Sequence, residues 1–341
     1  ETNLARLSEV PPTLMSARAS CILGDMLRRG FTTVRDAAGA DWGIKQAVAE
    51  GSIKGPRLFI SGRALSQTGG HGDFHARTDQ RQACHCDHAL AFTARIADGI
   101  DDVRRAVREE LRNGADQVKI MVSGGVSSPF DPLERNQYSP SEIAAIVEEA
   151  ERRGTYVMAH AYGADAIRVA LECGVRTIEH GNMIDRATAA LAAEKGAYLV
   201  PTLITYEVLA ETAADSAWSE SMLTKLARVR EAGLESIRIC REAGVKLGFG
   251  TDLLGHSFDQ QAREFLIRSK VESPAQILHS ATRVNAEILG QAGRLGVIAL
   301  GAIADLILLD GNPLEDLAVL QDQGANMAVI IKQGTIIKNL L

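Results

Sequence analysis

Aromatic residues make up only 4% of this 341-residue chain, against a hydrophobic fraction of 46%, so its core has to be built mainly from Ala, Val, Ile and Leu. Aliphatic cores of that kind suit parallel sheets covered by helices. The chain also lacks any basic run and carries a net charge of −6, so nucleic acid is not an expected partner. No apolar stretch reaches the length that crosses a bilayer, and the opening ETNLARLSEV does not read as a signal peptide; no membrane partner is expected. Cysteine is scarce and odd in number. Cys21, Cys84, Cys86, Cys173 and Cys240 make no disulfide framework in a chain this large, and a reducing, cytoplasmic compartment is the expectation.

What is there instead is alternation of strand-like and helix-like segments. Seven apolar runs read as barrel strands: FTTVRDA (31–37), RLFISGRAL (57–65), QVKIMVSGG (117–125), TYVMAHAYG (155–163), RTIEHGN (176–182), AYLVPTLI (197–204) and KLGFGTD (246–252). Amphipathic segments such as SPSEIAAIVEEAERRG (139–154) lie between them, with Ser-Pro starts and Gly stops. This β–α repetition predicts parallel strands with right-handed crossovers, an α/β chain of the TIM-like (β/α)8 type. A closed barrel needs eight strands. The helical stretch LMSARASCILGDMLRRG (14–30) leads straight into FTTVRDA, so the first strand is expected to precede residue 1. The rival is an open doubly wound sheet, but no Gly-rich phosphate fingerprint follows the first strand. The barrel is expected to occupy residues 1–292. Residues 293–341, with GRLGVIALGAIADLILLDGNPLEDL (293–317), read as short strands with Gly turns forming the C-terminal part of a small β-sandwich domain.

Four of the apolar runs end in side chains that carry chemistry: Lys119, His160, His180 and Asp252. In a parallel barrel the C-terminal strand ends converge on one active site. One strand-end histidine alone is more often a hydrogen-bonded structural residue than a ligand. Four such ends together point to a metal-dependent hydrolase. Tyr162, two positions beyond His160, stands where a hydrogen-bond donor to a developing oxyanion is needed, or merely packs at the rim. His71 in TGGHGD, Gly124 and Gly125 in VSGGVSSP, and His256 after GTDLLG are candidate substrate contacts. His71 has the alternative of ordering its own loop. CHCDH (84–88), within the aperiodic segment 66–92, reads as part of a lid with reducible cysteines rather than a separate zinc site. Arg35 and Asp36 are expected to form a rim ion pair, and His279 and Asp305 to be structural.

The ordered segments RRGFTTVRDA, SGRALSQTGGHGD, VKIMVSGGV, MAHAYG, TIEHGN, VPTL, GFGTDLLG and GAIADLILLDGNPL resemble the amidohydrolase superfamily. The resemblance covers essentially the whole chain and is closest to the Xaa-Pro-dipeptidase-like, imidazolonepropionase-related branch. Its members hydrolyse amide bonds in dipeptides and N-acyl amino acids, and some relatives cleave the phenylalanine amide of ochratoxin-type mycotoxins. The resemblance implies two divalent metal ions, zinc first among the candidates, bridged by a Lys119 carboxylated from CO2 or bicarbonate. His160 and His180 would bind the second metal. Asp252 would bind the first and act as general base on a bridging hydroxide. It also implies a small-molecule amide or dipeptide substrate and a homo-oligomer. The family's HxH pair is absent from these 341 residues. That absence coincides with the expected missing strand. A lactonase or cyclic-amide hydrolase with the same site is the alternative, as is a non-catalytic binding homologue if the HxH strand is truly lacking.

Overall fold

The structure is a computed structural model that describes residues 10–75, 78, 94–128, 131–213 and 218–341. Helix α1 (Pro12–Arg28) opens on a proline in its first turn, where a missing N–H is harmless. It leads into β1 (Thr33–Arg35), α2 (Trp42–Ala49) and β2 (Arg57–Phe59), with β1 and β2 paired in parallel. The run 57–65, expected as one strand, is broken. Gly62 turns at φ +65, and the Glu110 carboxylate accepts from the Arg63 backbone N–H and from its Nε. A polar anchor from a helix distant in sequence thus bends the chain, and a second pair, β3 (Leu65–Ser66) and β4 (Arg95–Ile96), follows.

Glu110 belongs to α3 (Ile100–Arg112), which precedes β5 (Val118–Met121). The Asp116 N–H donates to the Ile60 carbonyl at 2.7 Å and joins the β2 edge to the start of β5. From there the ladder is parallel throughout: β5, β6 (Val157–Gly163), β7 (Thr177–Met183), β8 (Tyr198–Val200) and β9 (Lys246–Leu247). Helices α4 (Pro140–Arg152), α5 (Ala164–Glu172), α6 (Arg186–Glu194), α7 (Leu203–Thr212) and α8 (Glu220–Ala243) fill the crossovers. Helix α4 starts at a capping box in which Ser139 and Glu142 satisfy each other's backbone N–H groups. Among the described residues no strand ladder joins β9 to β1. All seven expected barrel runs contain parallel strand.

The main core is almost wholly aliphatic, as the composition required. Ile120, Ala159, Ile178, Leu199 and Leu247 of the sheet pack against Val103, Ile146, Ile167, Ala189 and Ile237 of the helices. Each large aliphatic side chain removed from water there contributes roughly 1.5–3 kcal/mol. A second core of Phe249, Phe265, Ile277, Leu317, Leu320, Met327 and Ile330 ties the C-terminal segment to the barrel. That segment forms an antiparallel sheet of β10 (Leu306–Leu309), β11 (Met327–Lys332) and β12 (Thr335–Asn339). Within the 293–317 run, residues 293–305 form turns and the first strand begins at Leu306.

Arg35 and Asp36 do not pair. Neighbours on a strand point to opposite faces, and Arg35 reaches across the interior to Glu179 at 2.8 Å, with Thr177 and Tyr156 as further acceptors. Asp36 accepts from the Ala40 N–H instead. Asp305 has the expected structural role, pairing with Arg57 at 2.8 Å, and His279 lies in the helix α10 (Pro274–His279). Cys21, Cys173 and Cys240 are free thiols, whereas the CHCDH segment lies outside the described residues. No helix among the described residues is long and apolar enough to cross a membrane.

Candidate active site

Strand register sets the site. Lys119 pairs with Met158, Met121 with His160, and Ala161 with His180, so the chemistry-bearing residues step around the C-terminal ends of β5, β6 and β7. On β6, His160 and Tyr162 are two residues apart and share the inner face. On β7, Glu179 and His180 are adjacent and a regular strand would send them to opposite sides. His180 has a left-handed backbone (φ 74), and the β6–β7 register shifts after Ala161. Both side chains therefore serve the interior: Glu179 acts on Lys119 and Asp252, and the His180 ring packs on Tyr162. Asp252 is also left-handed (φ 50). Such backbone in a residue other than glycine costs about 1–3 kcal/mol and is held only where the surroundings impose it.

The imidazoles of His160 and His180 lie 4.7 Å apart between ring centres, edge to face. Tyr162 lies 4.9 Å from His160 and 5.2 Å from His180, stacked on the latter. His71 covers the other side of His160, stacked at 4.3 Å. Its loop is fixed from several directions. Its N–H donates to Gln137, and its Nδ1 sits 2.7 Å from the Ser128 hydroxyl and 3.7 Å from Asp131. The Gly125 backbone passes so close that a Cβ there would lie 1.9 Å from a His71 ring carbon. A Cβ on Gly124 would meet the Pro132 carbonyl at 2.0 Å. Lys225 of α8 clamps the same loop by donating to the carbonyls of Gly125 and Ser128, each at 2.6 Å.

Burial and like charge favour the neutral forms of the site's bases. Lys119, His160, Tyr162 and His180 are each 5% exposed or less. Desolvation pushes both imidazoles well below their ordinary pKa; for His160 the neighbouring His71, His180 and Lys119 add to it, and for His180 Lys119 and His71 do. Desolvation lowers His71 to about 4, with Asp131 opposing. It also lowers Lys119, against the pull of Glu179 and Asp252, and so favours its free amine. Asp252 differs because solvent reaches it. The protein packed around it pushes its carboxyl up to about 6, Lys119 opposes, and the water-facing side favours the carboxylate.

Among the described residues no three His, Cys, Asp or Glu side chains form a metal-holding group by themselves. The set at hand is two imidazoles, a lysine and a carboxylate, and its chemistry fits a metal. His160 Nε2 donates to the Gly124 carbonyl at 3.2 Å, which leaves its Nδ1 lone pair free. His180 engages Thr202 through Nδ1 at 2.8 Å, which turns Nε2 away from that partner. Neutral imidazoles each fixed by a second hydrogen bond are what metal ligation requires.

His256 does not join this group by any contact seen here; it is exposed on a 3₁₀ turn, Gly255–Gln260. Thr202, Tyr206, Ser128, Asp131 and Lys225 escaped the sequence reading. Only Thr202 and Tyr206 had a legible signal, since residues four apart after a strand end share one helix face. Helix α7, which carries Tyr206, starts over the buried Glu264 of α9 (Arg263–Arg268), whose carboxylate accepts from the Ile204 N–H at 2.7 Å.

A parallel barrel with imidazoles, an amine and a carboxylate gathered at its strand ends has the layout of a barrel hydrolase. The chain belongs to the amidohydrolase family, whose profile matches residues 2–337. It is 34% identical over 322 residues to the ochratoxinase of Aspergillus niger, spanning 92% of this chain and 67% of that protein. Its structure superimposes with a TM-score of 0.96 on a prolidase crystallised with N-methylphosphonate-L-proline, at 53% identity over 99% of this chain and 83% of the other. A Xaa-Pro dipeptidase with bound methionine in its active site aligns at TM-score 0.85 and 32% identity, over 96% of this chain and 80% of that one. The TIM-like barrel fold follows.

Proposed function

We propose that this chain is a metal-dependent amidohydrolase that cleaves the amide bond of a dipeptide or an N-acyl amino acid, phenylalanine amides of the ochratoxin type included. Lys119, His160, His180 and Asp252 would hold the metal, and zinc, manganese and cobalt all suit such ligands. Bound divalent ions would supply an acidified water and a Lewis acid for the carbonyl oxygen. The chain's own residues do the rest. Lys119, kept toward its neutral amine, would add CO2 and release one N–H proton to water, becoming an anionic carbamate. Asp252 takes the proton of the attacking water and passes it to the leaving amine. Tyr162 donates its O–H to the oxyanion that develops on the carbonyl. His71, Gly124 and Gly125 form the wall on which the substrate lies.

The observation that carries the reading is the grouping of two neutral imidazoles, each anchored through one nitrogen, with a lysine and an acid at the strand ends of one parallel sheet. What supports the substrate class is similarity to an ochratoxinase, a prolidase and a Xaa-Pro dipeptidase. The test is release of free amino acid from a panel of dipeptides, N-acyl amino acids and lactones, before and after chelation and metal restoration. Chelator-sensitive release from the amides is expected. Turnover untouched by chelation, or confined to lactones, would overturn the assignment.

A further inference from the structure

Four polar groups run in file from one imidazole to the candidate oxyanion donor. His180 Nδ1 lies 2.8 Å from the Thr202 hydroxyl, Thr202 lies 3.5 Å from the Tyr206 hydroxyl, and Tyr206 donates to the Tyr162 hydroxyl at 3.1 Å. All four residues are buried, and the two tyrosine rings and the imidazole pack together, with Tyr206 6.1 Å from Tyr162 and 6.3 Å from His180. Each hydroxyl has one proton to give. Once Tyr206 gives its proton to Tyr162, it can only accept from Thr202. Thr202 has then given its own proton and can only accept from His180.

We propose that Thr202 and Tyr206 are positioning residues that fix this file in one direction, from His180 Nδ1–H through Thr202 and Tyr206 to Tyr162. Two consequences are imposed at once. His180 is held as the Nδ1–H tautomer, so its Nε2 lone pair faces the site. Tyr162 already accepts from Tyr206, so its own O–H is not drawn into the file and is left to donate toward the substrate. A phenol with both options open would orient by chance; this one arrives preorganised as a donor, which is where oxyanion stabilisation gains its effect. Thr202 sits at the end of β8 and Tyr206 one helical turn later on α7, and that four-residue spacing lets one segment address both an imidazole on β7 and a phenol on β6.

The inference rests on the function proposed above, and the experiment separates the two. Nitrogen-15 NMR of histidine-labelled protein, with the His180 signals assigned by their loss in His180→Gln, reports the tautomer without any turnover. A proton on Nδ1 is expected in the metal-free protein, and a proton on Nε2 would overturn the proposal. In kinetics on the metal-loaded enzyme, Tyr206→Phe is expected to lower kcat roughly 3- to 10-fold, the worth of one buried hydrogen bond, with KM and metal content unchanged and a modest fall in melting temperature. Added to Tyr162→Phe it should lower kcat no further, because its effect passes through Tyr162. Thr202→Ser should retain activity that Thr202→Val loses. An undiminished kcat in Tyr206→Phe, or losses that multiply in the double variant, would overturn the proposal while leaving the amidohydrolase assignment intact. A wild-type enzyme that releases no amino acid would defeat the assignment, and the tautomer would still decide the direction of the file.

Discussion

Two buried polar clusters in this molecule are built on opposite logic. Every nitrogen of Arg268, which is fully buried, finds a partner: both Glu272 oxygens at 2.6 and 3.0 Å, Ser280 at 3.1 Å and the Gly248 carbonyl at 2.7 Å. Arg241 adds a second cation to Glu272 at 2.5 Å. Burial alone would raise the Glu272 carboxyl, but the Arg268 and Arg241 contacts overrule it and hold it below its usual range. At the strand ends the reverse holds. Imidazoles are forced neutral, an amine is pressed toward its free base, and two residues sit in left-handed backbone. Satisfied charges brace the scaffold, whereas groups with capacity left over gather at the candidate site.

That contrast can be broken experimentally, starting where the effect is largest. Asp252→Asn is expected to cut kcat by about 10³-fold while leaving the denaturation midpoint near that of the wild type, since it removes a proton carrier; steady-state assay and urea titration check both halves. Glu272→Ala should do the opposite. It strands two guanidinium groups and should cost about 3–5 kcal/mol of stability by denaturant titration, with turnover per folded molecule preserved. Tyr162→Phe should lower kcat by about 10²-fold with a smaller change in KM, as for loss of one oxyanion donor. Glu264 offers a pH test. Burial raises its carboxyl to about 7, with Arg268 and the Ile204 N–H opposing. The unfolded chain ionises it at the ordinary carboxylate pKa, so stability present at acid pH is lost as the pH rises through about 7. Glu264→Gln should therefore abolish a fall on the order of 1–3 kcal/mol between pH 5 and 8, seen as the difference between wild-type and variant denaturation curves. The smallest change is a gain: Asp252→Gly should stabilise by about 1 kcal/mol, because glycine takes φ 50 without strain, as turnover disappears.

Much of this was legible in the sequence because an apolar run that ends in a polar side chain marks a strand end. Lys119, His160, His180 and Asp252 were singled out that way as candidates, and the parallel order of their strands followed from β–α alternation. The break of the 57–65 run was not legible, since it depends on Glu110 arriving from a separate helix beneath Gly62. The Arg35–Glu179 pair was misread for the same reason: local adjacency suggested Asp36, whereas the partner stands 144 residues away. The backbone twist that turns His180 inward leaves no trace in composition. Strand alternation would have sent that ring outward, and only the neighbouring Gly181 hints at an irregular path.

The close passage of Gly125 under the His71 ring ties two loops beside the candidate site into one unit. Any side chain at 125 collides with the imidazole, and any bulkier group at 71 collides with the 125 backbone. Exchanging the 66–75 segment for that of a relative therefore demands exchange of 124–137 in the same step. New substrate preferences in this scaffold should be sought by transplanting the two loops as a matched pair.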